Sequence, residues 1–263
     1  MKSLYTLSVL LLSVSLLQAQ PINSMLIDDF STGPVTAPDW VLDNQGVWAS
    51  LNAGPSVLGQ YRIIGNYLTE VLPGSIQNAT VVSSSKFSID NSAVTRSVGQ
   101  VIWQGSSITP GASPIIANPN GFNLGSLNLD TALSTPNFNF QWSVVNADDR
   151  NWEYTIRAYT TNAANYFEAM LSSNQSSVTL SIPRSAFVAT GSPDWSNIDA
   201  ITFAATHNDG LLGGDLAIDN VMLAVPEVSS YLMIGATAAV VGVYYAFRRR
   251  KEGSWASKSS VLA

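Results

Sequence analysis

The chain has no cysteine and one histidine, His207. The first absence excludes disulfides, thiol nucleophiles and zinc–thiolate centres. The second leaves too few imidazoles for a zinc site, and any Ser-His-Asp triad would have to run through His207. The Gly-x-Ser-x-Gly elbow that presents a hydrolase serine is absent. His207-Asn208-Asp209-Gly210 reads more simply as a turn after a strand. Glutamate is scarce too. Glu70, Glu153 and Glu168 are the only ones between Gln20 and Val225. Glycoside hydrolysis needs two carboxylates in one cleft, and nothing pairs Glu153 with a second acid. Positive charge is equally thin. Residues 20–225 hold six Lys/Arg against sixteen Asp/Glu, a net charge of 6 − 16 = −10. Phosphate backbones repel such a domain, which excludes nucleic acid as a partner.

Both ends of the chain are specialised. Met1–Ala19 carries one positive charge (Lys2), an apolar run through Leu17, then Gln18-Ala19. That is the three-part pattern of a secretory signal peptide cleaved after Ala19. Near the other end, Val225-Pro226-Glu227 precedes twenty uncharged residues, Val228 to Phe247, and then Arg248-Arg249-Arg250-Lys251. A helix of that length spans roughly 30 Å, the hydrocarbon thickness of a bilayer, and the cations fix its cytoplasmic side. Residues 252–263 form a short cytoplasmic tail. The roughly 205 residues between the ends suffice for one well-cored domain without disulfides.

That domain, residues 20–225, is poor in helix formers and shows short alternating runs between turn residues. Met25 to Phe30, Val47 to Leu51 and Val57 to Ile64 read as strands, with Gly54-Pro55 breaking the chain between the last two. Ala79 to Gly105 holds further strands around a turn at Asn91-Ser92. Thr109 to Asn120, with three prolines, reads as a surface loop. Phe138, Phe140, Trp142 and Val144 alternate strictly with polar residues, as do Trp152, Tyr154, Ile156 and Ala158. These two runs predict a hairpin turned at Asn146–Asp149, with Trp142 and Trp152 in the core. Tyr166 to Leu171, Val178 to Ile182, Ile198 to Ala205 and Asp215 to Leu223 complete ten to thirteen strands. The prediction is an all-β, antiparallel two-sheet β-sandwich. Trp40 and Trp195 lie beside turns and are candidate exposed platforms.

Trp195-Ser196-Asn197-Ile198-Asp199-Ala200-Ile201-Thr202-Phe203, a glycine loop, and Asp215 to Val221 resemble the close of galactose-binding-like jelly rolls, shared by many carbohydrate-binding modules. Ile27-Asp28-Asp29-Phe30-Ser31 resembles their first strand. The resemblance implies a jelly-roll-like sandwich, carbohydrate binding, a buried Trp195, and a structural calcium where first and last strands meet. Asp28 or Asp29 and Asp219 would be its ligands.

Pro226-Glu227, the uncharged span and Arg248 to Arg250 resemble the bacterial PEP-CTERM sorting signal. That resemblance implies processing near the motif by a membrane enzyme of the exosortase kind, passage through a single-pass membrane form to the cell surface or beyond, and a role with exopolysaccharide and biofilm. Val228 replaces the second proline of the usual motif, and twelve residues follow Lys251. The expected protein is therefore a non-enzymatic surface or matrix protein that binds polysaccharide. A secreted glycan hydrolase and a purely structural single-pass surface protein are the competing readings.

Overall fold

In the computed structural model the described residues are 24–110, 118–119, 121–207 and 209–226. The signal peptide, Glu227, the span Val228 to Phe247 and the basic cluster Arg248–Lys251 lie outside them, as does most of the Thr109–Asn120 loop. Among the described residues no helix is long and apolar enough to cross a membrane.

Fourteen strands carry these residues: β1 Ser24–Asp28, β2 Val35–Pro38, β3 Val47–Asn52, β4 Tyr61–Val71, β5 Asn78–Ser83, β6 Lys86–Asn91, β7 Thr95–Gln104, β8 Asn139–Asn146, β9 Trp152–Tyr159, β10 Tyr166–Ser173, β11 Val178–Pro183, β12 Val188–Thr190, β13 Ala200–His207 and β14 Leu216–Ala224. One short helix, α1 Leu129–Ala132, is capped by Asn128, whose Oδ1 accepts from Thr131 N at 2.9 Å. Two antiparallel sheets result. The first runs β11-β8-β14-β6-β5-β2, with β1 joining β14 where β6 ends. The second runs β12-β10-β9-β13-β7-β4-β3.

The predicted sandwich is present, but one predicted pairing is not. β8 and β9 are consecutive, yet β8 lies between β11 and β14, and β9 lies between β10 and β13 in the other sheet. Asp148 and Asp149, both at positive φ, carry the chain across instead of folding it into a hairpin. The alternation still does its work. Trp142 of β8 and Tyr154 of β9 face each other through the core, ring centroids 5.2 Å apart, with Phe203 of β13 at 5.6 Å from Trp142. Strict alternation specifies a strand with one buried face, and either sheet satisfies that.

Two turns also differ from expectation. Ser84 and Ser85 at φ 50 and 58 make a tight hairpin between β5 and β6. Two-residue hairpin turns with both φ positive favour Asn-Gly, so a serine pair gives little warning. The strand expected over Val57–Ile64 begins only at Tyr61. Val57 is buried but belongs to the turn after Gly54–Ser56, and Gly59 and Gln60 sit at positive φ.

The core is aromatic along its length. Phe30 approaches Phe87 at 5.8 Å, and Phe87 meets Phe203 edge-on at 6.3 Å. At the far end Trp195 stacks on Phe167 at 4.0 Å and 7° and meets Phe138 and Phe187 edge-on. Trp195 is 8% exposed, so it is a core residue and not a platform.

One stretch of the interior is polar. Asn66 on β4, Asn78 and Thr80 on β5, Asn91 on β6 and Ser97 on β7 are all buried between the sheets. Asn66 Nδ2 donates to Asn78 Oδ1, and Thr80 Oγ1 donates to Asn66 Oδ1 at 3.2 Å. Asn78 Nδ2 and Ser97 Oγ both donate to Asn91 Oδ1 at 3.0 Å, and Asn91 Nδ2 reaches Gly214 O at 3.1 Å. Each amide is satisfied by the next, which is the condition for keeping amides in a core.

Candidate functional site

The carboxylate expected to bind calcium has another task. β1 does pair with β14, placing Asp28 opposite Val221. Asp28, however, is fully buried and receives four donors. Arg62 Nε and Trp103 Nε1 reach its Oδ2 at 2.6 and 2.8 Å. Phe30 N reaches Oδ1 at 2.7 Å, and Arg62 Nη2 completes a bidentate pair. Arg62 Nη1 donates to Thr32 O at 2.8 Å, and its guanidinium lies 5.2 Å from the Phe30 ring centroid. A cation at Asp28 would have to displace a buried guanidinium. Asp29 points elsewhere, accepting from Ser31 N and Oγ at 3.0 and 2.6 Å, and those bonds hold its carboxyl below the usual range. Asp219 is exposed on β14. Among the described residues no three His, Asp or Glu side chains gather to hold a metal ion.

His207 closes β13 on its inner side and is buried. Its Nδ1 lies 3.1 Å from Asp209 Oδ1, its ring meets Trp152 edge-on at 5.2 Å, and Nε2 has no partner, hence no bonded serine. Burial lowers its pKa, against the opposing pull of Asp209, while Arg96 and Arg150 add to the lowering. An unfolded histidine titrates near 6.5. Below that pH the unfolded chain takes up the proton first, so His207 favours folding above about 6.5 and loses that contribution as pH falls toward its folded pKa. The melting temperature should therefore fall between pH 7.5 and 5, and His207→Leu should flatten that slope relative to the parent. Equal slopes in thermal melts would remove His207 as the cause.

The glutamates are dispersed among arginines. Glu70 Oε2 lies 2.8 Å from Arg96, and Glu168 Oε2 accepts from Arg157 Nε at 2.5 Å. Glu153 sits on β9 opposite Ser172 and Thr206.

Aromatic and hydrogen-bonding side chains instead collect on the outward side of the second sheet. Register puts Trp48 opposite Gly65, and Tyr67 opposite Val98. The Trp48 indole lies across Gly65: a Cβ there would stand 2.1 Å from its Cζ3. Glycine is thus required for the ring to lie flat on the sheet. Toward the other edge, the Arg157 guanidinium lies 5.0 Å from the Tyr166 ring centroid while bonded to Glu168. Between these flanks Ile63, Ile102, Thr202 and Ala204 are buried although they face outward. The segment after β7 returns to this side. Gln104 Nε2 donates to Ile108 O at 2.8 Å, Gly121 N donates to Gln104 Oε1 at 3.2 Å, and the Tyr159 hydroxyl donates to Asn118 Oδ1 at 3.0 Å. Central strands covered on both sides explain why β7 and β13 are buried almost end to end.

Beside Trp48 runs the loop from β2 to β3. Asp39 is buried at its base; its Oδ2 accepts from Leu68 N at 2.8 Å and its Oδ1 from Val41 N at 3.3 Å. Burial pushes its carboxyl up, against those two bonds. The next residue, Trp40, is 63% exposed. Of the two platforms expected beside turns, this is the one at the surface.

No family model matches the chain, and no curated protein matches it. Several solved structures are partly similar to it. The family 11 carbohydrate-binding module from Clostridium thermocellum, in complex with a β-1,3-1,4-mixed-linked tetrasaccharide, is 14% identical, with 78% of this chain and 98% of that chain covered and a TM-score of 0.33. TmCBM61, in complex with β-1,4-galactotriose, is 10% identical over 74% of this chain and 89% of that one, with a TM-score of 0.26. The agarase AgWH50C is 11% identical over 78% of this chain and 25% of that one, with a TM-score of 0.37. Similarity at this level identifies neither a family nor a ligand.

Proposed function

We propose that this chain is an exported, non-catalytic surface or matrix protein whose β-sandwich associates with extracellular polysaccharide. The observation that carries the reading is the aromatic strip of Trp48 and Tyr67 on the outward side of the second sheet. The flat indole over Gly65 offers a face for the C–H side of a sugar ring. The pairing of Glu70 and Glu168 with arginines supports binding over hydrolysis, because neither is free as a general acid or base. The tail, with Pro226 and Glu227 before an uncharged span and four cations, supports delivery through the membrane and handling by an exosortase-like enzyme.

Residues 20–225 should be retained on at least one polysaccharide matrix without releasing product. Trp48→Ala should lower retention by about tenfold, while Trp48→Phe keeps most of it. A sugar product released by the domain would overturn the non-enzyme reading. In the native host, mass spectrometry should find a mature form ending near Pro226. Intact tail peptides in the mature protein would sink the sorting reading.

A further inference from the structure

The loop between β2 and β3 does more than join two sheets. Trp40, Val41 and Leu42 are 63%, 61% and 49% exposed in succession. Three successive apolar side chains left in water gain little from folding, and such a contiguous patch marks an interaction surface. The backbone beneath them is bonded in place. Asp39 anchors the base through Leu68 N and Val41 N, and Asp39 N donates to Asn78 O at 3.2 Å. Asp43 N donates to Val41 O at 3.0 Å, and Asp43 Oδ1 accepts from Gln45 N at 2.9 Å. The Tyr67 hydroxyl lies 3.5 Å from Asn44 Oδ1, so the loop continues the aromatic strip. A loop whose backbone is already bonded loses less entropy on binding. Next to Trp40, Asp43 Oδ2, the Asn44 amide NH₂ and the exposed Gln45 side chain offer acceptors and donors suited to hydroxyls.

Charge narrows the ligand. Between Ser24 and Tyr61 there are four aspartates (Asp28, Asp29, Asp39, Asp43) and no lysine or arginine. Elsewhere among the described residues each of the five arginines is already paired: Arg62 with Asp28, Arg96 with Glu70, Arg150 with Asp209, Arg157 with Glu168 and Arg184 with Asp130. Among the described residues that leaves Lys86, on the β5–β6 hairpin, as the cation outside these pairs. Recognition of a carboxylated or sulfated chain relies on available guanidinium or ammonium groups. This domain has almost none to offer and carries a net charge of −10 over residues 20–225.

We infer that the loop around Trp40 is a binding site for an uncharged polysaccharide, with Trp40 as the stacking platform and Asp43, Asn44 and Gln45 as hydroxyl partners. The inference rests on the polysaccharide reading above and adds a site and a ligand class to it.

The test is affinity electrophoresis of residues 20–225, a segment that holds all fourteen strands and their core. The gels contain a mixed-linkage β-glucan, a galactan or a mannan, and in parallel alginate or dextran sulfate. Phospholipid vesicles serve as a separate probe. The expected result is retardation by at least one neutral polymer, by neither polyanion, with less than a twofold change between 50 and 500 mM salt. Trp40→Ala should weaken that retardation about tenfold and leave the melting temperature unchanged, since the side chain is exposed. Failure of the parent domain in every gel would overturn the polysaccharide reading itself. Retardation of parent and Trp40→Ala alike would overturn the loop site alone, and Trp48→Ala would then report on the strip. Preference for alginate or dextran sulfate would overturn the ligand class. Trp40-dependent binding to vesicles in place of polymers would reassign the loop to a lipid surface.

Discussion

Asp28→Asn is expected to destabilise the domain by about 3–5 kcal/mol, the loss typical of removing one partner from a buried ion pair. For a domain of this size that is a fall of roughly 6–20 °C in melting temperature. The large effect comes from what is left behind. Arg62 is fully buried, and asparagine cannot balance its charge. The amide also turns a donor toward a site where Arg62, Trp103 Nε1 and Phe30 N all donate. Phe30 depends on this carboxylate too. It holds φ 54, an uncommon conformation for a bulky side chain, and its N–H bond to Asp28 fixes that turn. A double variant, Asp28→Leu with Arg62→Met, should regain part of the loss, because paired apolar replacements avoid the uncompensated charge. Thermal melts with calcium and with chelator decide between the two roles of Asp28. An ion-pair partner gives the same parent melting temperature in both. A calcium-dependent rise that vanishes in Asp28→Asn would restore the metal reading.

The second large effect is expected at Asn78. Replacing it with leucine keeps the branched shape but removes the amide that links Asn66 to Asn91. Each buried polar group left without a partner costs about 1–3 kcal/mol. Asn66 Nδ2 is orphaned, while Asn91 Oδ1 keeps Ser97 Oγ as a donor, so a loss on the order of 1–3 kcal/mol follows. Denaturant melts should show a lower midpoint with an unchanged slope, since the exposed surface on unfolding is the same. A loss below about 1 kcal/mol would mean that the amides re-pair or gain water. Asn78→Leu should also couple to Asn66→Leu: the double variant should lose less than the sum of the singles, because they share one hydrogen bond.

These two sites show unequal visibility in the sequence. The sandwich itself is legible because Phe138 to Val144 and Trp152 to Ala158 alternate cleanly, and both enter the core as alternation requires. Their partners are not legible, since period two says which side chains are buried and is silent on which strand lies alongside. Asn66, Asn78 and Asn91 are invisible for a different reason. Asparagine ordinarily signals turns, and only the meeting of three strands turns it into a core residue. Asp28 draws attention as a possible ligand in the sequence because its position resembles a metal-binding one. Its partner, Arg62, lies 34 residues away and has no local signature. At the candidate site, the exposure of Trp40 follows from its place beside a turn. The flat seat of Trp48 depends on Gly65 across a strand pair, which no single run of residues reveals.

The last strand has a consequence for how the protein is made. β14 lies inside its sheet, with β8 along one side and β6 and then β1 along the other. It is also the final strand of the domain, ending at Ala224, two residues before Pro226. The first sheet therefore lacks an interior member until almost the whole domain has been synthesised. Its pairing with β1 joins Ser24 to Ala224, a long-range closure of the kind that slows folding. A cut just beyond Val225 would spare this strand, whereas a cut a few residues earlier would open the sheet at β14. A cut near Pro226 would thus fall at the first position beyond β14 where the chain could be severed without opening the sheet.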